Sequence, residues 1–287
     1  QNPFLSNTMR KVIEDAKLED PDDFAHVYGG IPMMDDDKVI IKRSWVESAI
    51  DAHLKFGEPE GKKTIGFDVA DDGDDKCANV YAHGSVALYC EEWKGQEDEL
   101  LKSCSRTYRN ATARDAHIIY DSIGVGASAG AKFDELNEAN SSGRVKYSKF
   151  NAGDKVFEPE RYYVQNRMEK IKNKDFFANL KAQAWWSVAD RFRNTHDYIK
   201  NGTPYPPEEM ISISSSMPNL EKLKTELSTP KRDFDNAGKV KVESKKDLAK
   251  REVKSPNIAD AFIMAFSPAH KGMNISGTVF ANLSGKR

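Results

Sequence analysis

From residue 62 onward the spacing of apolar residues changes, and the new spacing leaves few folds open. Lys63 to Ala70 (KTIGFDVA), Cys77 to Ala82 and Ser85 to Glu91 alternate apolar with polar residues and are rich in β-branched and aromatic side chains. That is the period of half-buried strands, and His83-Gly84 is the turn joining the last two. The three runs therefore predict an antiparallel meander. The pattern then alternates. A helix is expected over about Gln96–Ala113, with Leu100, Leu101, Cys104 and Tyr108 on one face, followed by a strand over Ala116–Asp121. The turn Gly124-Val125-Gly126 leads into a helix ending near Asn140, and Val145–Phe150 is a further strand. A long amphipathic helix is expected over 175–200 with the stripe Phe177, Leu180, Ala184, Val188 and Phe192. A helix near 218–228, a hairpin over 231–243 turning at Asn236-Ala237-Gly238, and a last helix from Pro256 to about Phe266 complete the order. Such an order predicts an α/β domain: a mixed sheet flanked by helices.

Ahead of residue 60 the chain reads as short helices and turns, over Asn7–Ala16 and Ser44–Phe56, without apolar residues enough for a core of their own. The last twenty residues contain no acid and read as a weakly ordered basic tail. This divides the chain into 1–59, a helical connector, 60–267, the main domain, and 268–287, the tail. The connector is expected to pack on a neighbouring domain, and the non-Met start suggests a fragment or processed chain. No run reaches the ~18–20 continuous apolar residues of a membrane helix. Three scattered cysteines, Cys77, Cys90 and Cys104, argue for a reducing compartment rather than a disulfide scaffold. The formal charge of −2 is unevenly spread, −11 over residues 1–160 and +9 over 161–287. Acidic clusters can hold cations and a basic quarter can face a polyanion.

Three carboxylates carry the chemistry. Asp68 interrupts an apolar strand (Ile65-Gly66-Phe67-Asp68-Val69), where a charge is costly without a partner or a metal. Asp121 ends the strand before the Gly-rich turn, and ligands gather at the carboxyl ends of strands in open α/β sheets. Asp260 lies on the last helix among Ile258, Phe262, Ile263 and Phe266, with Ser255 as the expected N-cap and Pro256 at the first helical position. Such a trio suits hard cations that leave positions for phosphate oxygens. Two ions about 3.5–4 Å apart would clamp the attacking water and the leaving oxygen of a phosphodiester. Of the acidic turn Asp71, Asp72, Asp74 and Asp75, Asp75 is the candidate auxiliary metal ligand, because it opens the second strand. The six histidines form no ligand-spaced pair and there is no CxxC, so no structural zinc is expected. No G-x-x-x-x-G-K-[ST] loop is present, so no ATPase activity is expected of this chain.

The motifs Ile65-Gly66-Phe67-Asp68-Val69-Ala70 through Gly73-Asp74-Asp75, Tyr120-Asp121-Ser122-Ile123-Gly124-Val125-Gly126, and Lys254-Ser255-Pro256-Asn257-Ile258-Ala259-Asp260-Ala261 resemble the three acidic motifs of the phage large-terminase nuclease domain, of the short-tailed, headful-packaging kind. The resemblance covers about residues 60–267, and Phe24-Ala25-His26-Val27-Tyr28-Gly29-Gly30 is similar to the segment that follows the ATPase domain in that family. It implies an RNase H-like (integrase/resolvase-like) fold with an N-terminal helical connector. It also implies an Mg2+- or Mn2+-dependent endonuclease, with two ions held by Asp68, Asp121 and Asp260, that cuts concatemeric double-stranded phage DNA during genome packaging. The implied partners are the portal protein and the small terminase subunit. The implied location is the host bacterial cytoplasm, transiently at the procapsid portal.

The basic run Lys231, Arg232, Lys239, Lys241, Lys245, Lys246, Lys250, Arg251 and Lys254 leads directly to Asp260 and is expected to grip the DNA backbone. A second basic stretch, Arg167–Lys181, interleaves with Phe176 and Phe177, which with Trp185 and Trp186 read as core rather than as base-stacking surface. Two other readings are open to the same residues. An actin- or sugar-kinase-like phosphotransferase pairs an early strand Asp with a later Asp-x-Gly turn, but the loop after Asp68 lacks its early Gly and Ser/Thr. A catalytically silent DNA- or portal-docking module gains nothing from carboxylates placed where phosphate approaches.

Overall fold

The computed structural model describes residues 38–70, 76–94, 100–140, 143–165 and 169–267. In chain order these carry α1 (Arg43–Ser48), α2 (His53–Phe56), β1 (Lys63–Asp68), β2 (Lys76–His83), β3 (Val86–Lys94), α3 (Leu100–Arg114), β4 (His117–Asp121), α4 (Ala129–Ala139) and β5 (Tyr147–Phe150). There follow β6 (Tyr162–Gln165), β7 (Lys170–Lys172), α5 (Asn173–Phe176), α6 (Leu180–Asn201), β8 (Ser212–Ile213), α7 (Leu220–Leu227), β9 (Arg232–Phe234), β10 (Val240–Val242), α8 (Lys245–Lys250) and α9 (Asn257–Ala265).

Six strands form one mixed sheet in the order β5-β4-β1-β2-β3-β8. The meander β1-β2-β3 is antiparallel, while β4 adds to β1, β5 to β4 and β8 to β3 in parallel. This is the α/β order the apolar spacing predicts. Because successive side chains of a strand point to opposite faces, the sheet feeds two cores. Ile65, Phe67, Ile118 and Tyr120 face α3 and α4, with Phe133 and Cys104 beneath them. Val80, Ala82, Cys90 and Ile119 face the other way, into a core with α6, α7 and α9. Helix α9 buries nearly every residue, from Asn257 to Ala265 save Asp260, as a helix apolar on all sides must. All three cysteines are buried free thiols.

Several details differ from the sequence reading. The expected helix over Ser44–Phe56 is broken, because Asp51 takes φ +52 and separates α1 from α2. In the described part of the connector, Ile40, Ile41, Val46 and Ala49 enter the main core. Phe177 is not on the long helix, which begins at Leu180 with Asn179 as N-cap accepting from Ala182 N–H at 2.9 Å. Instead Phe177 bridges to Val240 and docks the β9–β10 hairpin, aided by Ala178 N–H donating to Val240 O at 2.9 Å. The hairpin β6–β7 and the two-residue strand β8 are additions to the predicted order. Ser255 does not cap α9: the capping position is Pro256, and Ser255 Oγ is buried without a partner. The segments Asn7–Ala16 and Phe24–Gly30, the turn holding Asp71, Asp72, Asp74 and Asp75, and the tail lie outside the described residues.

Candidate metal centre

Parallel pairing of β1 and β4 decides where the first two acids meet. Phe67 stands opposite Tyr120, so Asp68 and Asp121 end neighbouring strands at the same edge of the sheet. Asp68 is buried, 8% exposed. Asp121 is held in a tight turn: Ile123 N–H donates to Asp121 Oδ1 at 2.9 Å, and Ser122 N–H donates to Phe150 O at 3.0 Å. A Cβ on Gly126 would lie 1.9 Å from Asp121 O, so only glycine lets the chain fold back so closely.

The third acid arrives on α9, which crosses β1 at Gly66. A Cβ there would meet Ala261 O at 1.8 Å and Ala265 N at 2.7 Å, so backbone packs directly on backbone. Thr64 Oγ1 donates to Ala265 O at 3.0 Å. The helix thus runs antiparallel to β1 and brings Asp260 toward the Asp68 end. The three carboxylates feel one another. Burial, then Asp260 and Asp121, hold Asp68 well above the usual carboxylate range, with Lys245 and Lys181 acting in opposition. Asp121 is raised mainly by burial and further by Asp260, against the hydrogen bond from Ile123.

Lys181 is the residue beside the acids that the sequence reading did not single out. Its Nζ lies 2.9 Å from Asp260 Oδ1 and 3.0 Å from Oδ2. It is the second residue of α6, where a cation opposes the helix dipole, so the acids, not the helix, account for its position. One of 43 basic residues, 79 positions from its partner, it carries no local signal. Among the described residues no three Asp, Glu, His or Cys side chains converge closely enough to surround one ion; the cation resting on Asp260 is Lys181. The donor set nevertheless fits a divalent metal: three carboxylates, two of them with raised proton affinity from mutual repulsion and burial, offer hard oxygen ligands and surplus negative charge. Asp75, the expected auxiliary ligand, lies outside the described residues.

The expected DNA-gripping residues line one run from the hairpin to α9. Arg232, Lys245, Lys246, Arg251 and Lys254 are exposed, while Lys231, Lys239 and Lys241 are half-buried. Lys241 pairs with Asp233 at 3.1 Å, Lys250 with Asp247 at 2.7 Å, and Arg251 with Glu243 at 3.0 Å. Lys245 is near enough to the acids to pull on Asp68 and Asp121. Phe176 and Phe177 pack against Tyr163, Phe177 stands edge-on to Trp186, and Trp185 is fully buried, so these aromatics are core.

No family model and no curated protein matches the sequence. Among solved structures, the nuclease domain of the large terminase subunit gp2 of bacterial virus Sf6 superposes with TM-score 0.70 at 29% identity, over 79% of this chain and 97% of that one. This is a phage large-terminase nuclease fold. A variant of that Sf6 domain with manganese and beta-thujaplicinol gives TM-score 0.70 at 28% identity, and one with calcium 0.71 at 28%, each over 79% of this chain. The terminase nuclease resemblance drawn from the three acidic motifs and the RNase H-like mixed sheet both stand.

Proposed function

We propose that the chain is a metal-dependent endonuclease of a phage DNA-packaging terminase, with Asp68, Asp121 and Asp260 as metal ligands. What supports this reading is that Asp68 and Asp121 end neighbouring parallel strands, with α9 crossing β1 so that Asp260 lies toward the Asp68 end, in a fold shared at 29% identity with the Sf6 terminase nuclease domain. Mg2+ or Mn2+ bound there would supply charge neutralisation at the scissile phosphate and an activated water. The chain's own groups do the rest. Asp68 and Asp121, fixed on adjacent strand ends, hold their carboxylates at a constant spacing. Asp260, rigid on a buried helix, closes the set from above. Lys181 and Lys245 temper the repulsion among the acids and are cations placed where phosphate oxygens approach. The exposed basic residues from Arg232 to Lys254 bind the DNA backbone without reading sequence. Support for the division into a connector (1–59), nuclease domain (60–267) and tail (268–287), for portal and small-subunit partners, and for action in the host cytoplasm comes from the resemblance. Among the described residues no helix is long and apolar enough to cross a membrane.

The test is supercoiled plasmid incubated with the chain and Mn2+ or Mg2+. Nicking is expected that EDTA abolishes and Asp68→Ala reduces by a factor of about 100 or more. Equal nicking by wild type and Asp68→Ala rejects the assignment, and ATP hydrolysis without DNA favours the kinase-like reading.

A further inference from the structure

Helix α9 places Asp260, yet its N-terminus is held by a residue outside the helix. Four N–H groups at a helix start need acceptors. Here Pro256 has no N–H, Asn257 N–H donates to Ser255 O at 3.0 Å, and Ser255 Oγ makes no bond, which leaves Ile258 and Ala259 to be satisfied from elsewhere. The acceptor comes from α7: Ala259 N–H donates to Glu226 Oε2 at 3.0 Å across 33 residues, and Ile258 N–H interacts with the same carboxylate. Glu226 is itself strapped. Lys222 Nζ stands 3.6 Å from its Oε1 and also pairs with Glu92 of β3. Glu92 in turn pairs at 2.8 Å with Lys76, the first residue of β2. A chain of alternating charges therefore ties the start of α9 to β3 and β2.

We propose that Glu226 is a positioning residue for the metal-binding acids: by capping α9 from α7 it sets where Asp260 stands relative to Asp68 and Asp121. The proposal rests on the nuclease reading above. Its physical basis is adjacency. Ala259 immediately precedes Asp260, so slack in the Glu226 hydrogen bond passes directly into the backbone that carries the ligand. Partners of metal ligands that orient them commonly change metal affinity or activity by about 10–100-fold when removed.

The experiment uses the full chain and three readouts: Mn2+ affinity by calorimetry without DNA, single-turnover nicking at saturating DNA, and DNA affinity in EDTA. Glu226→Asp keeps the charge but shortens the reach, and Glu226→Gln keeps the reach but drops the charge. Glu226→Asp and Glu226→Ala are expected to weaken Mn2+ binding and slow nicking by about tenfold, with DNA affinity unchanged, while Glu226→Gln stays within about threefold of wild type. Asn137→Ala is the control for general destabilisation. Its carboxamide joins α4 to Val145 at 2.8 and 3.1 Å on the opposite face of the sheet, and it should lower the melting temperature without moving Mn2+ affinity. Unchanged Mn2+ affinity in Glu226→Asp, or an equal loss in Asn137→Ala, overturns the positioning role; should Glu226→Ala not fold, the Asp and Gln pair decides. If wild type binds no Mn2+, the nuclease reading itself falls. If wild type binds and the variants match it, only the role of Glu226 falls.

Discussion

Asp68 is stable in its place only at a cost that the metal-free chain carries alone. Burial and two neighbouring acids raise its proton affinity above that of the unfolded carboxyl. A raised acid contributes its stability below the ordinary carboxylate range, and that contribution is lost as pH climbs through the folded-state pKa. Neutral pH is thus the less stable side for this group. Asp68→Asn should accordingly raise the melting temperature in EDTA at neutral pH, by about 2–4 °C for each kcal/mol of relieved repulsion, and abolish the rise that Mn2+ gives wild type. A lower melting temperature for Asp68→Asn in EDTA would contradict this account. Mn2+ affinity should also weaken on acidification at pH values where an ordinary carboxylate is still ionised. Lys181→Met has the opposite sign. It strips Asp260 of a charged hydrogen bond, costs on the order of 1–2 kcal/mol in EDTA, and leaves a larger stabilisation by Mn2+ than wild type shows. Calorimetric melts with and without metal check both.

At the level of elements, the crossing of α9 over β1 is the packing on which the site depends. Gly66→Ala would drive a methyl into the Ala261 carbonyl, forcing helix and strand apart at a cost of at least about 1–3 kcal/mol. The expected outcome is a lower melting temperature together with a drop in nicking larger than the drop in folded protein. Much of this arrangement was legible. Asp68 announces itself as a charge inside an apolar strand, Asp121 by preceding a glycine turn, and Asp260 by its place in an apolar helix. What escaped the sequence are features made by distant residues. Lys181 meets Asp260 only after folding, Glu226 caps α9 in place of the expected Ser255, and β8 is two residues long, too short for any periodicity. Phe177 read as helix because its spacing from Leu180 fits one, yet the N-cap at Asn179 starts the helix after it.

Across the whole molecule the charge division acquires geometry. The acids lie at the ends of β1 and β4 and on the first turn of α9, and Lys245 of α8 is near enough to act on Asp68 and Asp121. Lys239→Ala with Lys241→Ala should weaken DNA binding and flatten its salt dependence, by about 0.9 in the log–log slope for each phosphate left without its lysine. Lys241 is already paired with Asp233, so the single Lys239 change should account for the greater part; an unchanged slope removes the hairpin from the DNA path.

The hairpin has a second attachment. Val39 bridges to Lys231, Arg232 N–H donates to Lys38 O at 2.8 Å, and Ile40 N–H donates to Pro230 O at 3.1 Å. Mechanically, these bonds make residues 38–40 a tether anchored at the root of the basic hairpin. Tension applied to the chain at Lys38 would load that root first, and only afterwards the sheet. Among the described residues, the hairpin is therefore the part that a pull at Lys38 reaches before any other.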